Sequence, residues 1–337
     1  MIRVGLIGFG YWGPNLARNV VSTPKMELKY IVDKDHSRIS KASSLYPSVT
    51  TSNEPKIIFE DKNIDLVIIA TPSSSHHLLT KNALHAEKHV LVEKPIALSS
   101  KDATELCELA ELNKKLLIVD HTFLFTPSVR AMYTLVHNND LGTIFYYDSV
   151  RVNLGLIQND INVIWDLAPH DLSIVDYLFS PKRIQVSAFG SKHIGKTEDV
   201  AYITIKCDNN ITAHFSLSWL SPVKIRRVLI GGDKAMLSWD DCQSDEKIKI
   251  YNRGIEPNSQ DGIMTSMAGY RMGSMYSPHL PHTEALAIEL EHITDCILNN
   301  KSPINDGRSS LRILKILEAC DLSMKSMGTA IELNLNK

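Results

Sequence analysis

The chain has 337 residues, enough for two domains, and its 44% hydrophobic content can fill two cores without disulfide or metal staples. Lys plus Arg at 36 against Asp plus Glu at 38 leave a net charge of −2, which argues against a chain-wide electrostatic grip on nucleic acid or an anionic membrane. Five scattered cysteines without C-x-x-C spacing predict buried thiols in a reducing compartment. No apolar run reaches membrane-spanning length, and Met1 leads directly into an apolar strand, so the expected location is cytoplasmic.

The first apolar run, Ile2 to Ile7, enters the turn Gly8-Phe9-Gly10-Tyr11-Trp12-Gly13, and Pro14 then opens a helical period of Leu16, Ala17, Val20 and Val21. Strand, G-x-G-x-x-G and helix in that order form the start of a dinucleotide-binding βαβ unit, with phosphates expected at the helix N-terminus. The second run, Leu28 to Val32, ends in Asp33, which lies 20 residues past Gly13, where an acid grips a ribose 2′-hydroxyl. An acid there repels a 2′-phosphate, so NAD is expected over NADP; Lys34 and Arg38 lie close enough to soften that preference.

Strand and helix signals then alternate: a helix near Ser37–Leu45, a strand Leu66–Ala70, the turn Thr71–Pro72, a helix near Leu78–Ala86 and a strand His89–Val92. Ser99 and Ser100 cap the helix carrying Ala103, Leu106, Cys107 and Ala110, and Leu116–Val119 is a further strand. Such alternation predicts a parallel, doubly wound sheet over residues 1–122. Thr126 before Pro127 starts a helix to about Val136.

From Thr143 the period becomes two. Runs at Ile144–Asn153, Ile184–Phe189, Val200–Cys207, Ile211–Leu220, Ile225–Ile230 and Ala235–Trp239 predict an antiparallel or mixed sheet, interrupted by a helix at about Ala168–Phe179. A Gly-, Met- and Tyr-rich segment, Asn252–His282, is expected to be a functional loop. Helices near Glu284–Leu298 and Ser309–Met327 and a strand near Ile331–Leu335 complete a second domain placed at 123–337.

Ligands of open α/β sheets bind at strand carboxyl ends, where Thr71–Pro72 with His76, and Glu93-Lys94-Pro95, are candidates. Lys94 could hold a substrate hydroxyl; it could equally be an ordinary ion pair with Glu93. Asp166 and His170 are four apart and face the same way if the helix has already begun there. The alternative makes Asp166 an N-cap, Pro169 a first-turn residue and His170 a helix residue of no special role. His279-x-x-His282 lacks a paired acid or thiolate, and no metal is expected.

In this order the fingerprint, Thr71–Pro72 with His76, Glu93-Lys94-Pro95, and Asp166 before His170 resemble the glucose–fructose oxidoreductase / inositol dehydrogenase / MocA (Gfo/Idh/MocA) family over essentially the whole chain. The resemblance implies a Rossmann domain, an open-faced α+β substrate domain, NAD or NADP, and oxidation or reduction of sugars or cyclitols. It implies Lys94 and His170 as the catalytic pair, with Asp166 orienting a substrate hydroxyl. His121-Thr122-Phe123-Leu124-Phe125 and Trp165 to Ser173 resemble the branch acting at C3 of nucleotide-linked hexoses, such as UDP-N-acetylglucosamine or its uronic acid. On that basis His121, Tyr270 and Arg271 join the substrate contacts, Arg271 as a diphosphate ligand. A free cyclitol or hexose, a 3-ketoreductase of deoxysugar synthesis, and a non-catalytic NAD-binding sensor are the alternatives. The second-domain sheet is apolar on both faces, so a homo-oligomer is expected.

Overall fold

The computed structural model describes every residue except 156, 158–160, 257–268 and 337. The chain packs as two compact units, Met1–Thr126 with Thr283–Leu314, and Pro127–His282 with Lys315–Lys337. The expected division lay after residue 122, whereas the first break here follows Thr126 and residues 283–314 return to the first unit. Their apolar stripe is the reason: Leu286, Leu290 and Ile293 fill the same core as Val4, Leu6, Leu16 and Val20.

In the first unit, β1 (Ile2–Ile7), α1 (Gly13–Ser22), β2 (Met26–Val32), α2 (His36–Leu45), β3 (Thr50–Ser52), α3 (Lys56–Glu60), β4 (Leu66–Ile69), α4 (His76–His85), β5 (His89–Glu93), α5 (Ser100–Leu112) and β6 (Leu117–Asp120) follow one another. Their sheet has order β3-β2-β1-β4-β5-β6, and every pairing is parallel. A parallel sheet is covered on both faces, which explains why β4 and β6 are buried at every residue. The strand order reverses between β1 and β4, so the carboxyl ends of those strands flank the crevice where such sheets bind ligands. Short β3 and α3 carry too few periodic residues to stand out in the sequence.

The second unit opens with α6 (Pro127–His137) and β7 (Ile144–Leu154), followed by α7 (Val163–Phe179), β8 (Arg183–Ser191), β9 (Val200–Cys207), β10 (Thr212–Ser218), β11 (Leu220–Gly232), β12 (Met236–Asp240) and β13 (Ile248–Tyr251). After β14 (Gly254–Glu256), β15 (Gly269–Arg271) and β16 (Met275–Tyr276) come α8 (Ala285–Asn299) of the first unit, α9 (Gly307–Lys325), which runs from the first unit into the second, and β17 (Ile331–Asn334). The main sheet has order β16-β13-β12-β11-β7-β10-β9-β8-β17. Only β10 with β7 is parallel among its described pairings, so it is mixed and mostly antiparallel. One face is buried under α7, whereas on the other Tyr202, Thr204 and Lys206 of β9 are exposed. The period of two thus marks a sheet covered on one side.

The thiol expectation needs one correction: Cys107, Cys207, Cys296 and Cys320 are buried, but Cys242 is exposed, because it lies in the turn after β12 instead of on a core-facing strand position. No described helix is long and apolar enough to cross a membrane.

Candidate active site

The glycine turn is built by close backbone approach. Gly8 has φ of 101°, and a Cβ there would stand 2.3 Å from the Ala70 carbonyl oxygen; one at Gly13 would stand 2.3 Å from the Gly8 carbonyl oxygen. Asp33, buried at the end of β2, accepts the Phe9 N–H at 2.6 Å and the Asp35 N–H at 2.9 Å. Its carboxylate therefore holds the turn to β2 while each oxygen keeps a second lone pair for a ribose hydroxyl. The Arg38 guanidinium stands 3.5 Å from Asp33 and close to Gly10, and Lys34 is exposed beside it. Phe9 sends its ring into the core, whereas Tyr11 and Trp12 are exposed. A cradle that side chains at Gly8 and Gly13 would fill, next to an acid at the strand end, fits a dinucleotide.

At the ends of β4 and β5 the side chains named in the sequence take different duties. His76 is buried, with Nδ1 2.7 Å from the Pro95 carbonyl oxygen and Nε2 2.7 Å from that of Thr71. It clamps the turn after β4 to the turn after β5, so it shapes the cofactor crevice instead of lining it as a ligand. Burial lowers its pKa, aided by the Lys94 charge, while the two carbonyls oppose the shift. Thr71 Oγ1 shares a 2.7 Å hydrogen bond with Ser75, whose hydroxyl also donates to the Pro72 carbonyl. The Lys94–Pro95 peptide is cis. Glu93, expected among cofactor contacts, instead hydrogen-bonds Asp120 on the neighbouring strand.

His121 also departs from expectation. It is buried in the first unit with Nε2 2.9 Å from Ser310 Oγ, because Asn305 pairs with β6 and draws the start of α9 over it. Burial, reinforced by the Lys94 charge, pushes its pKa down to about 3, so the ring is neutral. A core histidine replaces the expected substrate ligand.

In the second unit, α7 begins five residues before the expected Ala168. Asn162 is the N-cap, its Oδ1 accepting the Ile164 and Trp165 N–H groups at 3.1 Å each, and its amide donates to Asp321 at 3.1 Å. Asp166 is thus not the cap. It lies within the first turn and accepts the Trp219 indole N–H at 3.0 Å. The helix is already formed there, which places Asp166 and His170 on one face, one turn apart. Trp165, whose indole donates to Asp321 at 2.8 Å, fixes the same turn from behind. Trp219 is fully buried, and Gly155 makes room for it: a Cβ there would stand 2.5 Å from its Cδ1. Trp219, Asn162 and Asp321 were not expected from sequence; an Asn followed by apolar Val163 and Ile164 was the available signal.

Arg271 lies elsewhere in the unit. Its guanidinium donates to the Lys234 and Asp233 carbonyls just past the end of β11, whereas Trp219 immediately precedes the start of that strand. Thirteen residues of strand put roughly 40 Å between the two ends. Within one chain Arg271 therefore does not converge on Asp166, and the backbone carbonyls explain why it is held there. Tyr270 pairs with Ile255 through the backbone, its side chain and most of the expected functional loop lying outside the described residues. His279 and His282 are exposed, and among the described residues no three-membered group of metal-ligating side chains includes them.

Known proteins match this architecture. Residues 2–121 match the oxidoreductase family's NAD-binding Rossmann fold, and residues 134–333 its C-terminal alpha/beta domain. The chain is 37% identical over 188 residues to the uncharacterized oxidoreductase YdgJ of Escherichia coli, a match covering 53% of this chain and 54% of that protein, about half of each. It is 25% identical over 319 residues to UDP-N-acetylglucosamine 3-dehydrogenase of Acidithiobacillus ferrooxidans, covering 93% of this chain and 94% of the relative. A solved structure of that enzyme superposes with a TM-score of 0.82 at 23% identity, over 96% of this chain and 98% of the other. The scyllo-inositol 2-dehydrogenase (NAD(+)) of Bacillus subtilis is 24% identical over 318 residues, 90% of this chain and 88% of the relative.

Proposed function

The chain belongs to the Gfo/Idh/MocA oxidoreductase family, and from that premise we propose that it is an NAD-dependent dehydrogenase acting on CH–OH groups, oxidising the C3 hydroxyl of a nucleotide-linked hexosamine. UDP-N-acetylglucosamine or its uronic acid is the substrate, and the 3-keto product suits later amination by a separate enzyme. The observation that carries the reading is the Asp166–His170 pair, one turn apart on a formed helix, with Asp166 held by Trp219. A protein that only senses NAD has no use for such a pair.

The glycine turn and Asp33 hold the cofactor, which when bound supplies the acceptor for the two electrons and hydrogen leaving C3. His170 takes the hydroxyl proton, a role imidazole suits near neutral pH. The Lys94 ammonium holds the reacting oxygen, and Asp166 accepts a hydrogen bond from a neighbouring hydroxyl, keeping the C3 hydrogen aligned. The open face of the second-unit sheet, with Phe189 and Tyr202 paired and exposed on it, suits a homo-oligomer in the cytoplasm.

Free cyclitol or hexose is the second reading, favoured by the position of Arg271, which leaves the diphosphate without the cation expected for it. A panel of UDP- and dTDP-hexoses, glucose and inositol, followed by NADH appearance, separates the two; a coupled aminotransferase removes the 3-keto product. Turnover with free sugars alone overturns the nucleotide-sugar reading, and deuterium at C3 retained in the product sugar overturns the C3 assignment. His170→Asn should lower turnover roughly 10²–10⁴-fold with NAD binding little changed.

A further inference from the structure

Glu93 is the last residue of β5 and Asp120 the last of β6, and the parallel pairing sets them in register. Glu289 comes to the same place from α8, fully buried. Both glutamate carboxyls hydrogen-bond Asp120. Two carboxyl groups can share a hydrogen bond only when one of them carries a proton. Asp120 Oδ1 also accepts the Thr122 N–H at 3.0 Å and the Thr122 hydroxyl, so that oxygen carries no proton. Two such bonds among three carboxyls need two protons and leave one negative charge.

Glu289 repeats the pattern. Its Oε1 accepts the Asn305 amide at 2.7 Å, while Oε2 meets no donor, as expected of a protonated oxygen aimed at an acceptor. The Asn305 amide also donates to the Val119 carbonyl at 2.8 Å, tying the cluster to β6. Burial first, then the Asp120 charge, holds both glutamates well above the usual carboxylate range, and the adjacent Lys94 charge opposes this at Glu93. His121, on the residue after Asp120, is neutral and adds no charge.

We propose that Glu93 and the buried Asp120 and Glu289 form a cluster of two protons and one negative charge that ties the end of β5 to β6 and α8, making all three positioning residues for Lys94. The inference rests on Lys94 being catalytic, and it deepens that reading: Glu93 is neutral and directed to Asp120, so the ordinary ion pair that the adjacent Glu93 and Lys94 would suggest is not what organises this corner.

The full-length chain tests it through two readouts that need no substrate. One is the number of protons released when urea unfolds the protein at neutral pH; the other is the pH profile of Lys94 acetylation by acetic anhydride, followed by peptide mass spectrometry. Glu289→Gln keeps a neutral donor to Asp120, so it should release one proton fewer while leaving the Lys94 profile in place. Asp120→Asn removes the cluster's charge and should move the Lys94 midpoint downward. An unchanged proton count in Glu289→Gln, or an unmoved Lys94 midpoint in Asp120→Asn, overturns the cluster. Lys94→Ala with undiminished turnover of UDP-N-acetylglucosamine overturns the catalytic reading on which positioning rests, and the proton count distinguishes that failure from failure of the cluster itself.

Discussion

Arg151 on β7 and Asp171 on α7 are joined by two charge-assisted hydrogen bonds of 2.7 and 2.8 Å, with 3% and 1% of their side chains exposed. Asp171 directly follows His170, so this pair sets the rotation of α7 on the sheet and with it the direction of the proposed base. Asp171→Ala removes both bonds and leaves the guanidinium charge buried beside an apolar space. A change of that kind costs about 3–5 kcal/mol. Replacing both partners together, Arg151→Met with Asp171→Leu, removes the charge as well and should recover most of the loss. Urea unfolding followed by tryptophan fluorescence reads this unit selectively, because Trp165, Trp219 and Trp239 are buried within it; a Trp12→Phe background removes the tryptophan of the first unit. A loss below about 1 kcal/mol for Asp171→Ala, or a double variant no better than the single one, would refute the argument that the charge, not the contact area, dominates.

Trp219→Phe keeps the ring packing but removes the donor to Asp166, and turnover should fall roughly tenfold, the value of one hydrogen bond to a charged group at its lower end. In an Asp166→Asn background the Trp219→Phe step should shrink well below tenfold, and independent, multiplying losses would sink the link between the two. Gly155→Ala drives a methyl into the Trp219 indole and should act in the same direction; an unaffected turnover contradicts it. Asp33→Ala should narrow the preference for NAD over NADP in cofactor titrations, and a retained preference counts against its ribose role. His89 accepts the Leu116 N–H at 3.0 Å, and burial lowers its pKa from 6.5 to about 4. The unfolded chain then holds the extra proton between those values, so stability is complete above about pH 6.5 and declines toward pH 4, by about 3 kcal/mol in all. His89→Gln should flatten that acid limb in thermal melts, and an unchanged slope rules the linkage out.

The parallel sheet was legible because its strands are buried on both faces and read as continuous apolar runs between glycine and proline punctuation. The place of Asp33 at the end of β2, beside the glycine turn, was legible because it depends on local spacing. The start of α7 was not: Pro169 resembles a first-turn residue and Asp166 a cap, yet the helix begins at Val163 and carries Pro169 in its interior. That costs one backbone hydrogen bond, and the anchors at Asn162, Trp165 and Trp219 that sustain the turn come from segments as distant as Asp321. Glu93, Asp120 and Glu289 are separated by 27 and then 169 residues, a distance over which no periodicity carries information. Arg271 was misread for a related reason, since a cation near an expected loop says nothing about which carbonyls will capture it.

The return of residues 283–314 to the first unit imposes an order of events on synthesis. After Thr126 leaves the ribosome, a further 188 residues must be made before Leu314 emerges, on the order of 10–40 s at ordinary elongation rates. For most of that interval the nascent Rossmann sheet lacks Leu286, Leu290 and Ile293 from its core, and it lacks the Glu284 carboxylate that later grips Arg18 through two bonds of 2.9 and 2.7 Å. The dinucleotide cradle is thus translated well before the helix residues that complete its core. An unclosed apolar face on the emerging chain is what chaperones recognise, and truncation before Leu286 leaves that face open.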